Sequence, residues 1–510
     1  MANQTNRTEN IVKNVVTVVL TKTATLVLAF VSRTIFIYLL GKEYLGIDGL
    51  FSSILNIFSL AELGIGSALI YSLYAPIAND DVKRSRQLLT LYKKAYQYIF
   101  MTILAVGLCL LPFIKRIVNA DLDALGVNIY VVFILFLFRT LSSYFLAHKQ
   151  AVLVVNQRQR TVSFYQTLIF VIVYALECVT LLAFHNYYLF LIIGLAGNYG
   201  TALIISYIAN KKYPELCVVD NDKLPKEETD RIKKNIGALF LRRVGGVVYS
   251  STDNIVINSY ISLAVVGIYS NYVLIVSSIQ TITNQAMSAM TASIGNFVST
   301  NSTQETEKAF KLYTLITYII YGTCAVCFLL IINSFISKIW GDDYLLSQTA
   351  LFLIVLNFMF HGFQAAINVF RDTTGLFVQG KYRGLISAAV NVLASVIFVQ
   401  YWGIEGVLLG TIVARVFVSA WYDPYILYKH FFLKSSFEYF KRLSIYIAIP
   451  FGVAWLVGLA IRYLTPWDNN LFVSIVGAVF AIPILFLPFI GTFEFKELVE
   501  RVKGVIKSKK

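Results

Sequence analysis

The sequence predicts an all-α polytopic membrane protein. Fourteen transmembrane helices are expected, as two six-helix bundles related by an internal repeat plus two C-terminal helices. Three observations lead there. The chain of 510 residues is 57% hydrophobic and 14% charged, with a mean hydropathy of +0.69, more apolar surface than a fold in water can cover. Apolar stretches long enough to cross a bilayer, which takes about 20 residues, recur fourteen times. The opening segment also returns 221 positions later.

The spans fall at 15–40, 46–74, 88–114, 126–148, 163–184, 187–209, 236–260, 264–299, 310–332, 345–370, 384–401, 403–428, 442–464 and 470–490. The stretches 264–299 and 345–370 exceed one crossing and are expected to project beyond the bilayer. Lysine and arginine set the orientation, because cytoplasmic loops retain them. With the N-terminus placed inside, 32 of the 43 cations fall in inner segments, 5 in outer segments and 6 within spans. Both termini are therefore expected in the cytoplasm. The net charge of +15 is then a consequence of topology and anionic lipid, and nucleic acid is not an expected partner. No cleavable signal peptide is expected, since the polar tail leads into an apolar stretch too long for one.

The repeat defines the organisation. IVKNVVTVVLTK at 11–22 aligns with IKKNIGALFLRR at 232–243, with Ile11, Lys13, Asn14 and Leu20 identical to Ile232, Lys234, Asn235 and Leu241. The register continues through LGI (45–47) with VGI (266–268) and TLYKKAY (90–96) with KLYTLIT (311–317). It ends, two residues out of step, in LVVNQRQR (153–160) with LFVQGKYR (376–383). One six-helix bundle is assigned to 11–210, a polar cytoplasmic linker to 211–231 and the second bundle to 232–430. Two additional spans occupy 442–490 and a basic tail 491–510. Six spans is an even number, so both copies enter the membrane in the same direction. A pseudo-two-fold axis along the membrane normal follows, with a cleft on it as the substrate path.

Polar groups inside the spans are the candidate site, because a charge at mid-membrane costs at least about 2.5–3.5 kcal/mol and normally faces a wet cavity or a partner. Lys22 and Arg33 are eleven residues apart, about three helical turns, and point the same way about 16 Å apart. Arg242 with Asp253, and Arg243 with Asn254, repeat that spacing in the seventh span. Lys22 and Arg243 also lie close enough to the cytoplasmic boundary to snorkel. Arg139 lies deep in FILFLFRTLSSYF with Glu177 in the next span as a partner; an ion pair and a substrate contact both remain open. Arg415, in TIVARVFVSA, is similar. Glu62, in SLAELGIGSAL, has no partner near in sequence and is a candidate for coupling to H⁺ or Na⁺. Asp48 reads as solvated near the outer mouth. The pair Cys324 and Cys327 sits in an apolar helix and reads as packing. No nucleotide-binding loop, metal spacing or catalytic constellation is present in the sequence, and no enzyme activity, cofactor or metal is expected.

The stretch 32–79 carries a resemblance. Arg33 followed by an apolar run, Tyr44–Gly46 (YLG), Leu60–Gly66 (LAELGIG) and a basic loop resemble the opening of Wzx-type polysaccharide flippases, of the MATE-like MOP exporter superfamily. The resemblance implies a flippase for undecaprenyl-pyrophosphate-linked oligosaccharides in the bacterial plasma membrane. These serve capsule, exopolysaccharide or O-antigen-like polysaccharide, with polymerase and assembly proteins as partners. It also implies that Lys22, Arg33, Arg242 and Arg243 meet the pyrophosphate. A teichoic or teichuronic acid precursor flippase, a lipid II flippase and a multidrug exporter are the nearest alternatives. A membrane glycosyltransferase or polymerase is the remote one, since no large outer loop exists to hold catalytic acids.

Overall fold

The computed structural model describes residues 25–508 except 63, 121–124, 221, 223, 377–379, 381 and 465–470; within helices a few side chains, including those of Arg242 and Arg243, are also outside the description. The described residues form helices and short connections. In a bilayer this is the expected outcome, because only a helix or a closed barrel satisfies the backbone where no water reaches. In chain order the helices are α1 Thr25–Leu40, α2 Lys42–Phe58, α3 Ile65–Ala78, α4 Val82–Ile117, α5 Ile129–Val155, α6 Gln159–Phe184 and α7 Tyr187–Lys212. There follow α8 Lys226–Tyr260, α9 Leu263–Thr300, α10 Thr303–Trp340, α11 Gln348–Thr373, α12 Arg383–Phe432, α13 Phe437–Leu464, α14 Leu471–Phe486 and α15 Phe493–Ser508.

Eleven helices among the described residues are long and apolar enough to cross a membrane. Where the residues are described, each of the fourteen expected spans falls on a helix. The differences are local and physical. The span 46–74 is a broken helix, α2 and α3, separated by a 3₁₀ turn at Ser59–Glu62 and a left-handed Gly64. The spans 384–401 and 403–428 are, as expected, two helices: α12 turns back on itself at Gly403, whose φ of 56° leaves the helical region, so that Asn391 donates to Thr411 and Ser395 to the Val407 carbonyl. Side-chain caps fix several starts: Asn128 accepts from the backbone of Tyr130 and Val131, Asn186 from Leu189, and Ser302 forms a capping box with Glu305. A cap of this kind contributes about 1 kcal/mol.

The duplication is visible in the backbone. Gln157 and Gly380, which the out-of-step register pairs, both turn with positive φ, at 58° and 91°. His185, between α6 and α7, and Gly403, at the bend of α12, do so at 50° and 56°.

The chain divides into two compact units, 1–267 and 268–510. In the first, α8 packs along α2 through polar contacts. Asn254 donates to Ser53 Oγ (2.9 Å) and Asn56 to Ser251 Oγ (2.9 Å), while Asn258 bonds both ways with the Ile117–Asn119 turn. Such hydrogen bonds between membrane helices contribute about 0.6 kcal/mol each on average. The segment 214–228 is strapped to the start of α4: Lys83 pairs with Asp222 (3.0 Å), Arg84 with Glu228, and Arg86 donates to the Glu215 carbonyl.

In the second unit, α10 is the central helix. Phe310 meets Phe370, Tyr428, Phe432 and Tyr439 around it. Helices α13 and α14 close on its far side through Val326, Val453, Ala454, Ala481 and Leu485. Tyr318 stacks on Tyr446 at 4.7 Å and donates to the Leu485 carbonyl. One buried carboxylate, Asp423, joins three stretches of this unit: it accepts from Arg371, Arg383 and Gln364. It lies in α12 between two π-helical turns, Arg415–Ala420 and Tyr428–Phe432, and directly before Pro424.

Candidate functional site

A cavity of about 730 Å³ opens inside the first unit, walled by α2 to α7. Its size follows from the side chains around it. Of the nine largest fully buried aromatic residues described, seven pack the second unit and only Phe51 and Phe133 pack the first. The cavity lining is polar on most sides: Asp48, Ser52, Asn56 and Glu62 from α2 and its break, Tyr92 and Tyr96 from α4, and Arg139, Thr140, Ser143 and Gln150 from α5. Helix α6 adds Gln166, and α7 adds Asn198 and Thr201.

The helix break puts Glu62 in this wall. Gly64, with φ 87°, turns the chain where a side chain would be strained, and α3 resumes at Ile65. Gly66 then passes so close to α4 that a Cβ there would collide with Tyr96 Oη and stand 3.3 Å from Tyr92 Oη. The space it leaves lets Tyr96 donate to Glu62 Oε1 at 2.5 Å. Tyr92 stacks on Tyr96 at 4.5 Å, so the phenol is held from behind. The LAELGIG motif thus encodes a helix break, a carboxylate and room for the tyrosine that holds it.

A second charged group lies farther round the lining. Arg33 on α1 pairs with Asp48 at 3.9 Å. Arg139 faces the same cavity, and the buried Glu177 is beside it: a Cβ at Gly194 would stand 2.8 Å from Glu177 Oε1 and 3.8 Å from Arg139 Cζ. The cations and acids here alternate in sign and offset one another's burial.

The structure therefore gathers Arg33, Glu62, Arg139 and Glu177 about one cavity. Asp48, expected to be solvated near the outer mouth, lines the cavity with its side chain 30% exposed. Asp253 is buried on α8, whose neighbouring Asn254 and Ser251 serve the seam with α2. Arg415 lies in the second unit, in a π-helical turn of α12, and is not part of this lining. Lys22 and the side chains of Arg242 and Arg243 lie outside the described residues. Sequence reading missed Tyr92, Tyr96, Gln150, Gln166 and Asn198. The stripe Arg139, Ser143, Gln150 at helical spacing on α5 was the available signal.

A broken-helix, multi-span bundle with a polar chamber in its first unit is the architecture of a membrane transporter. The chain belongs to the family described as "Polysaccharide biosynthesis protein", which matches residues 11–294. A search of curated protein sequences gives no match. Among solved structures it is similar to the lipid II flippase MurJ in an inward closed conformation, at 13% identity and TM-score 0.66, covering 94% of this chain and 99% of that one. An inward-facing multidrug resistance MATE transporter of the MOP superfamily gives 15% and 0.57, covering 77% and 92%. A mutant of the Vibrio cholerae MATE transporter VcmN gives 12% and 0.53, covering 85% and 100%. The fold is shared with these proteins.

Proposed function

We propose that this protein carries an undecaprenyl-pyrophosphate-linked oligosaccharide from the cytoplasmic to the outer leaflet of the bacterial plasma membrane by alternating access. The observation that carries the reading is a large polar chamber inside a lipid-facing helical unit, in a chain of the polysaccharide biosynthesis family. Its two repeats, 11–210 and 232–430, would rock against each other, with 442–490 as an addition. Lys22, Arg33, Arg242 and Arg243 would meet the pyrophosphate, whose two charges need an offset on leaving water. An inside-negative potential favours outward movement of that anion by about 2.3 kcal/mol per charge per 100 mV. Glu62 would serve an H⁺ or Na⁺ couple, and polymerase and assembly proteins would receive the product.

A second reading has one observation in its favour. Asp48 and Glu62 outnumber Arg139 among the described charges of the lining, which suits export of a cationic compound. Deleting the gene separates the two. Accumulation of a lipid-linked glycan at the inner leaflet, with loss of surface polysaccharide, supports the flippase; unchanged glycan with sensitivity to cationic dyes supports the exporter.

A further inference from the structure

Three amide side chains line the cavity of the first unit from three different helices: Gln150 on α5, Gln166 on α6 and Asn198 on α7. None of them makes a hydrogen bond within the protein among the described residues. An amide carries two donors and an acceptor with two lone pairs. Structural amides in membrane helices bond across seams, as Asn56, Asn254 and Asn258 do here. Three left unused around one chamber form a binding surface instead.

The hydroxyls beside them add acceptors. Thr140, Ser143 and Thr201 donate to the carbonyls of Phe136, Thr140 and Gly197 on their own helices. Their oxygen lone pairs remain for a ligand. The charges argue against an anion in this chamber. Arg139 is the only cation in its described lining, Glu177 stands beside it, and Asp48 and Glu62 contribute negative charge. With Arg33 set against Asp48, the described charges about the chamber nearly cancel and leave no excess of cations for a dianionic head group. A neutral polyhydroxylated group would meet donors and acceptors on several walls, in a volume within the ordinary range of ligand sites.

We infer that this chamber seats the uncharged sugars of the transported glycolipid, with Gln150, Gln166 and Asn198 as the residues that read their hydroxyls. The inference rests on the flippase reading above and divides its substrate in two: sugars at the amides of the first unit's chamber, pyrophosphate at the cations, Arg33 beside Asp48 among them. A site built to bond hydroxyls discriminates strongly against ligands that lack them, because its polar groups are then left unpaired.

The test uses the full-length protein in lipid nanodiscs. Its probes are the glycolipid purified from the gene-deletion strain and undecaprenyl pyrophosphate without sugar. Gln150→Ala, Gln166→Ala and Asn198→Ala should each weaken glycolipid binding about two- to tenfold, the range for one lost neutral hydrogen bond. Binding of undecaprenyl pyrophosphate should stay unchanged. None of the three side chains holds the fold together, so the single variants should melt with the wild type. Wild-type glycolipid affinity in all three overturns the assignment, as does equal weakening of both probes. A deletion strain that accumulates no glycolipid overturns the flippase reading itself, and that failure appears before any variant is made.

Discussion

Tyr96 donates its phenolic hydrogen to Glu62 across the break between α2 and α3, in space left open by the missing side chain of Gly66. Three positions are coupled in this way: the carboxylate, the phenol and the glycine. A methyl group at 66 would strike Tyr96 Oη, and the ring cannot swing clear because Tyr92 stacks behind it.

Gly66→Ala should therefore lower stability by about 1–3 kcal/mol, the usual cost of overpacking. Tyr96→Phe removes the atom that is struck. The double variant Gly66→Ala/Tyr96→Phe should recover much of the loss, which thermal unfolding in detergent would read as a non-additive cycle. Additive losses would mean that the two residues do not meet.

Asp423 supports a prediction in the second unit. Its carboxylate is fully buried and accepts from Arg371, Arg383 and Gln364. Removing one member of a buried ionic group leaves charge without compensation, at about 3–5 kcal/mol. Asp423→Ala should thus reduce folded protein in the membrane sharply. Asp222→Ala, which breaks an exposed pair with Lys83, should leave abundance near the wild type. Equal abundance of the two variants would refute the role of Asp423.

The sequence alone reveals the spans well, because about twenty apolar residues are a signal that needs no tertiary information. It does not reveal breaks within them. Hydropathy runs straight through Ser59–Glu62, so α2 and α3 read as one helix. LAELGIG is recognisable as a motif, yet the need for glycine at 66 exists only once Tyr96 is brought against it. That Asp48 lines the chamber was not legible for a related reason: depth along a span does not say which face turns to a cavity. Gln150, Gln166 and Asn198 are unremarkable one at a time, and only packing collects them.

The charge asymmetry predicts that both termini and the 211–231 segment are cytoplasmic. A cysteine introduced at Asn221, with the five native cysteines replaced by serine, should resist a membrane-impermeant maleimide in intact cells. It should react once the membrane is opened. Labelling of intact cells would invert the topology, and with it the direction proposed for transport.

The cation at Lys22 offers a test of sign. A diffuse pyrophosphate contact depends on charge more than on shape, so Lys22→Arg should keep more surface glycan than Lys22→Glu, at similar protein abundance. Normal transport by Lys22→Glu would leave the residue as a snorkelling cation with no part in binding.

Arg33 poses the sharper question, because the structure gives it a carboxylate neighbour. Asp48 stands 3.9 Å away, at the loose limit of an ion pair, with its side chain 30% exposed. If the pair is structural, Arg33→Ala harms transport by stranding Asp48, and adding Asp48→Asn repairs it. If Arg33 meets the head group, Asp48 merely positions the guanidinium, and the double variant stays as impaired as the single one. The proposed function predicts the second outcome. A hydrogen bond to a charged group contributes about 1.5–3 kcal/mol. Its loss should slow glycolipid transfer in proteoliposomes at least about tenfold in both Arg33→Ala and Arg33→Ala/Asp48→Asn. Recovery in the double variant would remove Arg33 from the binding site.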